Sequence, residues 1–346
     1  ISEYKIKFLN NIEEEYPPEE ANSFFNLLVK FYLGWERIDM ALDPSKKISS
    51  AEVNAINSVT KKDLIKKCTI YVSLEPCSHF GKTPPCSDLI MASGIQKGVI
   101  GMVDPFEKVA GRGIQKLLAA GCDVIVGILE KECRDLNQRF FTFHEKNRPY
   151  IILKWAQSQD NFIAPENQEK REPVWITKPH SNQLVHKWRS EEQGIMVGTQ
   201  TAVADNPKLN TRLWDGPNPV RIVLDRNFRI PKDSALFDGS IKTIVLTEDN
   251  EKAPSKKNLI FEAIDFSGEI TRQICEVLFR QEIQSVIIEG GAKTTQTFIE
   301  AGLCDEARVF TGKIQLQKGI KAPIISGKII SEKDIGSDNL KIYINY

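Results

Sequence analysis

From Ala51 onward, short apolar segments alternate with segments of helical periodicity, and glycines or prolines separate many of them. This alternation is typical of a sheet covered by helices, because parallel strands need crossover connections that are usually helical. It predicts strands over 69–74, 98–103, 124–128, 150–155, 194–197, 220–224, 243–246, 285–288 and 307–311. It predicts helices over 87–93, 112–120, 181–190, 270–281 and 294–301. We therefore expect an α/β protein.

The chain is long enough for more than one domain. Its 346 residues leave room for about two or three domains of roughly 100–200 residues. Residues 139–149 are polar and end in Pro149, so we expect a linker there. Asp43-Pro44-Ser45 is a turn signal, and the strand and helix pattern starts only after Ser49. The predicted segments are 1–49, 50–146 and 147–346.

Charge and hydropathy exclude some classes of partner. The chain has 46 Lys and Arg against 46 Asp and Glu, whereas a nucleic-acid-binding protein needs a basic face. No apolar run approaches the roughly 18–20 residues that cross a bilayer, and the first residues do not form a signal peptide. We therefore expect a cytoplasmic protein with no nucleic-acid or membrane partner. The seven scattered cysteines favour metal ligation or burial over a disulfide framework.

Residues 74–86, with the sequence LEPCSHFGKTPPC, leave a predicted strand and enter a predicted helix. Thiols near a helix N-terminus have a lowered pKa, and the resulting thiolates are good zinc ligands. In zinc-dependent nucleobase deaminases a Pro-Cys…Cys element supplies two ligands, and an upstream His-x-Glu element supplies the third ligand and an acid/base Glu. Upstream in this chain, a predicted helix opens at Ala51 and contains Glu52.

Residues 50–127 resemble the deaminase half of the RibD family of bifunctional riboflavin biosynthesis proteins. The resemblance rests on the segments AEVNA, TIYVSLEPCSHFGKTPPC and DPFEKVAGRGIQKLLAAG, and the insertion between the two cysteines is specific to that family. It implies a cytidine-deaminase-like α/β/α domain with zinc held by Cys77 and Cys86 and with Glu52 as the catalytic proton carrier. The domain is expected to be incomplete, because residues 1–49 lack the family's Pro-Asn-Pro-x-Val-Gly turn.

The third zinc ligand of the family is missing, because Ser50 stands where the family has His. A serine hydroxyl is a poor zinc ligand, so we expect impaired deamination. His79, two residues after Cys77, is one alternative third ligand; solvent or a partner subunit is another. A further alternative is that Cys77 and Cys86 are only buried or weakly metallated thiols.

The N-terminal segment has a different resemblance. Residues 16–49, which include the segment YPPEEANSFFNLLVKFYLGWERIDMALDP at 16–44, are similar to the helical N-terminal region of release-factor glutamine methyltransferase. The methyltransferase motif Asn-Pro-Pro-Tyr is absent, so methyl transfer is not implied. We expect a short helical segment here, and our hypothesis is a chimeric or rearranged reading frame with its junction between residues 49 and 50.

Residues 150–346 resemble the reductase domain of the RibD family over nearly their whole length. The segments that carry the resemblance are KWAQSQD at 154–160, WIT at 175–177, HKWR at 186–189, GTQTAVADNPKLNTR at 198–212, PVRIVLD at 219–225 and EGGA at 289–292. The implied fold is a dihydrofolate-reductase-like α/β domain. The implied reaction is the NADPH-dependent reduction of 5-amino-6-(5-phosphoribosylamino)uracil to its ribityl form.

The same resemblance implies the site residues. NADPH is expected at Ala156, Trp175, Thr201, Asp205, Gly291, Ala292, Lys293, Thr294, Thr295, Gln296 and Thr297. The phosphoribosylamino-pyrimidine substrate is expected at Arg189, Leu209, Arg212 and Glu289. A Gly-Gly turn lets backbone amides approach a dinucleotide phosphate, and a guanidinium binds phosphate in bidentate fashion. Pro173 replaces a polar family residue, so the resemblance does not carry that substrate contact over to this chain. A homo-oligomer is also implied.

The leading interpretation is a reductase with an impaired deaminase, and the sequence leaves two alternative functions open. One is a fully bifunctional deaminase and reductase, which the measured zinc stoichiometry would distinguish. The other is a non-catalytic protein that retains a nucleotide pocket, which would bind NADPH without turnover.

Overall fold

The computed structural model describes residues 51–60, 62–78, 85–105, 110–166, 174–251, 254 and 256–344. The predicted N-terminal segment, Ser50, His79 and Pro173 lie outside these residues. The chain divides into two compact units, of which the first ends at Glu145 and the second begins at Lys146. The predicted boundary between residues 49 and 50 stays a prediction.

The first unit is built on a parallel sheet with the strand order β1-β2-β3. Its strands are β1 (Thr69–Val72), β2 (Lys97–Ile100) and β3 (Asp123–Val126). Its described helices are α1 (Ala51–Ser58), a 3₁₀ helix (Lys62–Lys67), α2 (Cys86–Ala92), α3 (Arg112–Ala119), α4 (Glu130–Leu136) and α5 (Gln138–Lys146). Ile70 and Ile100 of the strands pack with Ile90 and Leu117 of the helices in one buried core. The predicted alternation of strands and helices is thus confirmed here.

The prediction of a linker over residues 139–149 is wrong for most of that segment. Helix α5 covers it up to Lys146 and buries Phe141, Thr142 and Phe143. Phe141 packs with Met102 and Cys133 in a small core of its own. The polar residues of this segment lie on the opposite side of an amphipathic helix, and burial of the aromatic residues stabilises it.

The second unit contains a nine-stranded sheet with the order β13-β14-β11-β4-β10-β6-β7-β8-β9. Its strands are β4 (Tyr150–Gln157), β6 (Gly194–Val197), β7 (Val220–Leu224), β8 (Thr243–Thr247), β9 (Leu259–Ala263), β10 (Ser285–Ile288), β11 (Glu306–Thr311), β13 (Lys328–Ile335) and β14 (Asp338–Ile344). Strands β5 (Phe162–Ala164) and β12 (Ile320–Lys321) form a separate antiparallel pair. The strands from β11 to β9 in this order pair in parallel, whereas β13 and β14 form an antiparallel hairpin at one edge.

The large sheet is buried on both faces. Ile151 and Leu153 of β4 belong to one buried cluster, whereas Tyr150 and Ile152 belong to another. Successive side chains of a strand point to opposite faces, so the two clusters are the two layers of the core. The covering helices are α6 (Pro179–Glu191), α7 (Thr199–Asp205), α8 (Ile270–Arg280) and α9 (Ala292–Glu300), with a 3₁₀ turn at Ala235–Phe237. None of the helices in the described part of the chain is long and apolar enough to span a membrane.

Candidate functional site

The two cysteines of the first unit lie side by side. The chain leaves β1, turns through Glu75 and Cys77, and enters α2 at Cys86. The Cys86 amide donates a hydrogen bond to the Cys77 sulfur at 3.2 Å. The amide and hydroxyl of Ser87 donate to the Cys77 carbonyl oxygen at 3.1 and 3.0 Å. The fold thus brings together the two cysteines that were predicted to hold zinc.

The surroundings of Cys77 favour its thiolate. Hydrogen bonds from the Cys86 thiol and amide lower the pKa of Cys77 to about 6, although partial burial and the charge of Glu52 oppose this shift. Glu52 is on α1, and α1 packs against α2, the helix that begins at Cys86. Three predicted site residues of the first unit are therefore brought together.

Glu75 is a site residue that the sequence analysis missed. Its buried carboxylate accepts hydrogen bonds from the amides of Asp104, Gly111, Gly113 and Ile114 at 3.2, 2.7, 2.7 and 3.3 Å. The last two amides belong to the first turn of α3, whose N–H groups have no partner within the helix. A carboxylate is favourable at this positive end of the helix dipole. The signal that could have identified Glu75 from the sequence is its position directly before the Pro-Cys element.

In the second unit, an ion pair lies at the carboxyl end of β10, a central strand of the large sheet. Arg189 of α6 binds Glu289, which follows β10, through Nε at 2.8 Å and Nη2 at 2.7 Å. The ammonium group of Lys154, on β4, lies 3.9 Å from the same carboxylate. The side chains of Arg189 and Glu289 are 12 % and 6 % exposed. In open α/β sheets, ligands bind beyond the carboxyl ends of the strands. Glu289 lies in that position, directly after β10.

Burial and mutual charge set the protonation states of this cluster. Burial opposes the ionisation of Glu289, but Arg189 and Lys154 overcome it and lower the pKa of Glu289 to about 2. Burial, helped by the charge of Arg189, lowers the pKa of Lys154, and Glu289 opposes this effect. His186 is also buried beside Arg189 and Arg212, which lowers its pKa to about 4. His186 is therefore neutral at physiological pH.

The loop after α7 brings a second arginine to the cluster. The amide of Arg212 donates to Nδ1 of His186 at 3.2 Å, and the Arg212 guanidinium is exposed. Arg189 donates to the carbonyl oxygen of Asn210 in the same loop at 3.2 Å. Leu209 has a left-handed backbone, with φ of 45°, and its side chain is buried in the core. The predicted residues Arg189, Arg212 and Glu289 thus converge, while Leu209 anchors the loop and leaves only its backbone for a ligand.

Gly198, between β6 and α7, and Gly290 and Gly291, between β10 and α9, lie beside this cluster. We call these three residues the glycine cradle. A Cβ atom on Gly198 would collide with the Thr294 hydroxyl, and one on Gly290 would come within 3.0 Å of Thr201. Gly291, which precedes α9, has φ of 79°, a conformation that side chains rarely adopt. These glycines are required for close packing, and they leave the amides at the start of α9 open to an anion.

The other predicted cofactor residues lie around the same edge of the sheet. Trp175 is 59 % exposed, and the carbonyl of the next residue packs against Gly312, which follows β11. Ala156 pairs with Phe310 of β11, and Asp205 ends α7. The remaining predicted cofactor residues form the first six positions of α9, namely Ala292, Lys293, Thr294, Thr295, Gln296 and Thr297.

Known proteins match both units. Residues 149–316 match the RibD C-terminal domain, and residues 18–102 match the cytidine and deoxycytidylate deaminase zinc-binding region. The riboflavin biosynthesis protein RibD of Aquifex aeolicus is 37 % identical over 289 residues, which are 83 % of this chain and 77 % of that protein. The chain belongs to the RibD family of riboflavin biosynthesis proteins.

Further RibD relatives agree with this assignment. RibD of Escherichia coli K12 is 32 % identical over 276 residues, which are 75 % of this chain and 74 % of that protein. A crystal structure from Thermotoga maritima, a diaminohydroxyphosphoribosylaminopyrimidine deaminase/5-amino-6-(5-phosphoribosylamino)uracil reductase, is 33 % identical. Its TM-score is 0.77, and the match covers 87 % of this chain and 86 % of that chain. RibD proteins combine a cytidine-deaminase-like and a dihydrofolate-reductase-like domain, as the resemblance predicted.

The match to the deaminase zinc-binding region begins at residue 18, inside the N-terminal segment. The likeness of this segment to a methyltransferase region, and the junction between residues 49 and 50, are not tested by this match and stay predictions. For this chain, membership in the RibD family implies zinc in the deaminase unit and NADPH in the reductase unit.

The described residues of the reductase unit fit NADPH, and those of the deaminase unit supply two cysteine donors for zinc. The glycine cradle and the open amides of α9 suit a dinucleotide phosphate. In contrast, the described residues contain no group of three His, Cys, Asp or Glu side chains that could hold a metal. Cys77 and Cys86 are two donors, and the hydroxyl of Ser50 is a poor third.

Proposed function

We propose that this chain is an NADPH-dependent 5-amino-6-(5-phosphoribosylamino)uracil reductase whose deaminase unit is impaired. The observation that carries the proposal is the cluster of Arg189, Glu289 and Lys154 beside the glycine cradle. A largely buried carboxylate and two cations at the edge of a cofactor cradle suit a polar, phosphorylated substrate that must meet a hydride donor.

The residues have separate roles in this proposal. Arg212, whose guanidinium is exposed, binds the substrate phosphate, because its one protein partner among the described residues is the Asn210 side-chain oxygen at 3.1 Å. Glu289 stays ionised and accepts hydrogen bonds from the hydroxyl or amino groups of the substrate. Arg189 occupies both oxygens of Glu289 and holds the carboxylate in one orientation.

Reduction of the ribosyl group adds a hydride to C1 of the opened sugar and a proton to the adjoining heteroatom. When bound, NADPH supplies the hydride. Lys154 supplies the proton from Nζ in this proposal, because it is an ammonium group inside the cluster and burial lowers its pKa. The largely buried position of Lys154 and Glu289 keeps bulk water away from the group that is reduced.

The impairment of the deaminase unit rests on its donor set. Cys77 and Cys86 lie together, but Ser50 replaces the family His, so zinc lacks its third protein ligand. The reductase substrate would then have to come from a separate deaminase. We also propose a homo-oligomeric, cytoplasmic protein without nucleic-acid or membrane partners, for which family membership and the balanced charge are the support.

Product analysis by mass spectrometry tests the proposal. The full chain is supplied with NADPH and the undeaminated pyrimidine, in paired reactions with and without an independent deaminase. We expect ribityl product only where the deaminase is added. Product in both reactions would show a fully bifunctional enzyme and contradict the impairment. NADPH binding without product in either reaction would identify a non-catalytic nucleotide-binding protein.

A further inference from the structure

Cys77 and Cys86 form a preorganised pair of thiols. The thiol and amide of Cys86 both hydrogen-bond to the Cys77 sulfur, and the N···S distance from the amide is 3.2 Å. Ser87 holds the Cys77 carbonyl through its amide and its hydroxyl. The two sulfur atoms are therefore held next to each other by hydrogen bonds within the chain.

The other side of the pair is anchored by Glu75, two residues before Cys77. Four backbone amides from the segment between Asp104 and Ile114 bind this carboxylate. Gly113 lies so close to the Pro76 carbonyl that a Cβ atom there would collide with it. The turn that carries Cys77 is thus fixed against α3, and it holds the Cys77 sulfur within hydrogen-bond distance of the Cys86 amide.

The two thiols differ in accessibility. Cys77 is half-buried, whereas Cys86 is 7 % exposed. A small oxidant therefore reaches Cys77 first and leaves Cys86 as the neighbouring thiol that can react with the product. In a complete zinc site both sulfurs would be engaged as ligands, but in this sequence Ser50 stands where the family has its His ligand.

We propose that Cys77 and Cys86 are a peroxide-sensitive dithiol that closes to an intramolecular disulfide. The Cys77 sulfur attacks a peroxide oxygen and breaks the O–O bond, which gives a sulfenic acid and one water. The Cys86 sulfur then attacks the sulfenic sulfur, forms the S–S bond and releases a second water. In sum the two thiols lose two electrons and two protons, and one hydrogen peroxide becomes two waters. This site is independent of the reductase chemistry.

The test uses the full chain, reduced, freed of metal with a chelator and exposed to hydrogen peroxide before thiol blocking and peptide mapping. We expect linked peptides that contain Cys77 and Cys86 and a loss of about 2 Da in intact mass. The Cys86→Ser variant should keep Cys77 as a sulfenic acid that dimedone captures. The matched control is Cys68→Ser in the same unit, because the Cys68 thiol donates to the Leu64 carbonyl instead; this variant should still form the disulfide.

A zinc arm separates this proposal from an ordinary metal site. Zinc added before peroxide should leave the disulfide yield of the unmodified chain within about twofold, because two thiolates without a third ligand hold zinc weakly. Zinc should lower the yield about tenfold in the Ser50→His variant, in which the third ligand is restored. Absence of the disulfide in the unmodified chain, or its full protection by one bound zinc, would overturn the proposal even if the Ser50→His variant failed to fold.

Discussion

Arg189 and Glu289 form a bidentate ion pair at the carboxyl edge of the large sheet, with N···O distances of 2.8 and 2.7 Å. The two residues are 100 positions apart in the chain. Arg189 is on α6 and Glu289 follows β10, so the pair ties one covering helix to the centre of the sheet. It also fixes the charges that face the proposed substrate.

The first prediction concerns the removal of this carboxylate. Glu289→Gln leaves Arg189 and Lys154 as largely buried cations without their counter-ion, so the free energy of unfolding should fall by about 3–5 kcal/mol. Reductase kcat/KM should fall at least about a hundredfold. Urea unfolding and steady-state kinetics measure these changes. The control Glu248→Gln breaks the exposed pair with Arg226 and should cost less than about 1 kcal/mol.

The glycine cradle predicts a specific loss of cofactor binding. Gly291→Ala and Gly302→Ala both place a side chain at positive φ, 79° and 66°, and should each lose about 1–2 kcal/mol of stability. A Cβ atom on Gly291 would lie 3.4 Å from the hydroxyl oxygens of Thr201 and Thr294, whereas nothing lies within 4 Å of a Cβ atom on Gly302. Isothermal titration should therefore show NADPH affinity about tenfold weaker for Gly291→Ala only. Equal affinities in the two variants would contradict the cradle.

The lowered pKa of His186 predicts acid sensitivity of the second unit. The folded value is about 4, against 6.5 for a free side chain, so the unfolded state binds more protons between these values. Stability should therefore be full above about pH 6.5 and should fall by up to about 3 kcal/mol as the pH drops to about 4. The His186→Asn variant should lose this slope. Unfolding curves at intervals across the window measure it, and an unchanged slope in the variant would contradict the assignment.

Lys154 is predicted to act in the chemical step. Lys154→Met keeps a long apolar side chain but removes the ammonium that lies near Glu289, so kcat should fall about a hundredfold. NADPH affinity should stay within about twofold, because the cradle is formed by other residues. In the unmodified chain, kcat should decline at alkaline pH below the usual lysine pKa, since burial lowers that of Lys154. Full activity of the variant would remove Lys154 from the mechanism.

Glu75 predicts the local stability of the first unit. Glu75→Gln replaces a charged acceptor of four amides by a neutral one, and should lower stability by at least about 2 kcal/mol. Hydrogen exchange of the Gly111 and Gly113 amides should accelerate. Glu130→Gln, an exposed change in the first turn of α4, is the control and should change stability by less than about 1 kcal/mol. Slow exchange in both variants would exclude the anchoring role.

Local pattern was sufficient for many elements of the fold. Strands β6, β7 and β10 begin and end at the predicted residues, because a strand buried on both faces is a short, continuous apolar run. The hairpin of β13 and β14, which forms one edge of the large sheet, was not predicted. Most side chains of β13 are exposed, so its sequence lacks such a run, and its place depends on pairing with β14, which in turn pairs with β11.

The sequence by itself determined the family, the α/β class, the Cys77 and Cys86 pair and the Gly-Gly turn, because each is encoded in a contiguous motif. Only the tertiary structure decided that Lys154 faces Glu289 and that Glu75 binds the start of α3. These contacts depend on strand order, which places β10 beside β4 although they are far apart in the chain. Strand order is set by the burial of both sheet faces together, a global free energy that no local window of residues contains.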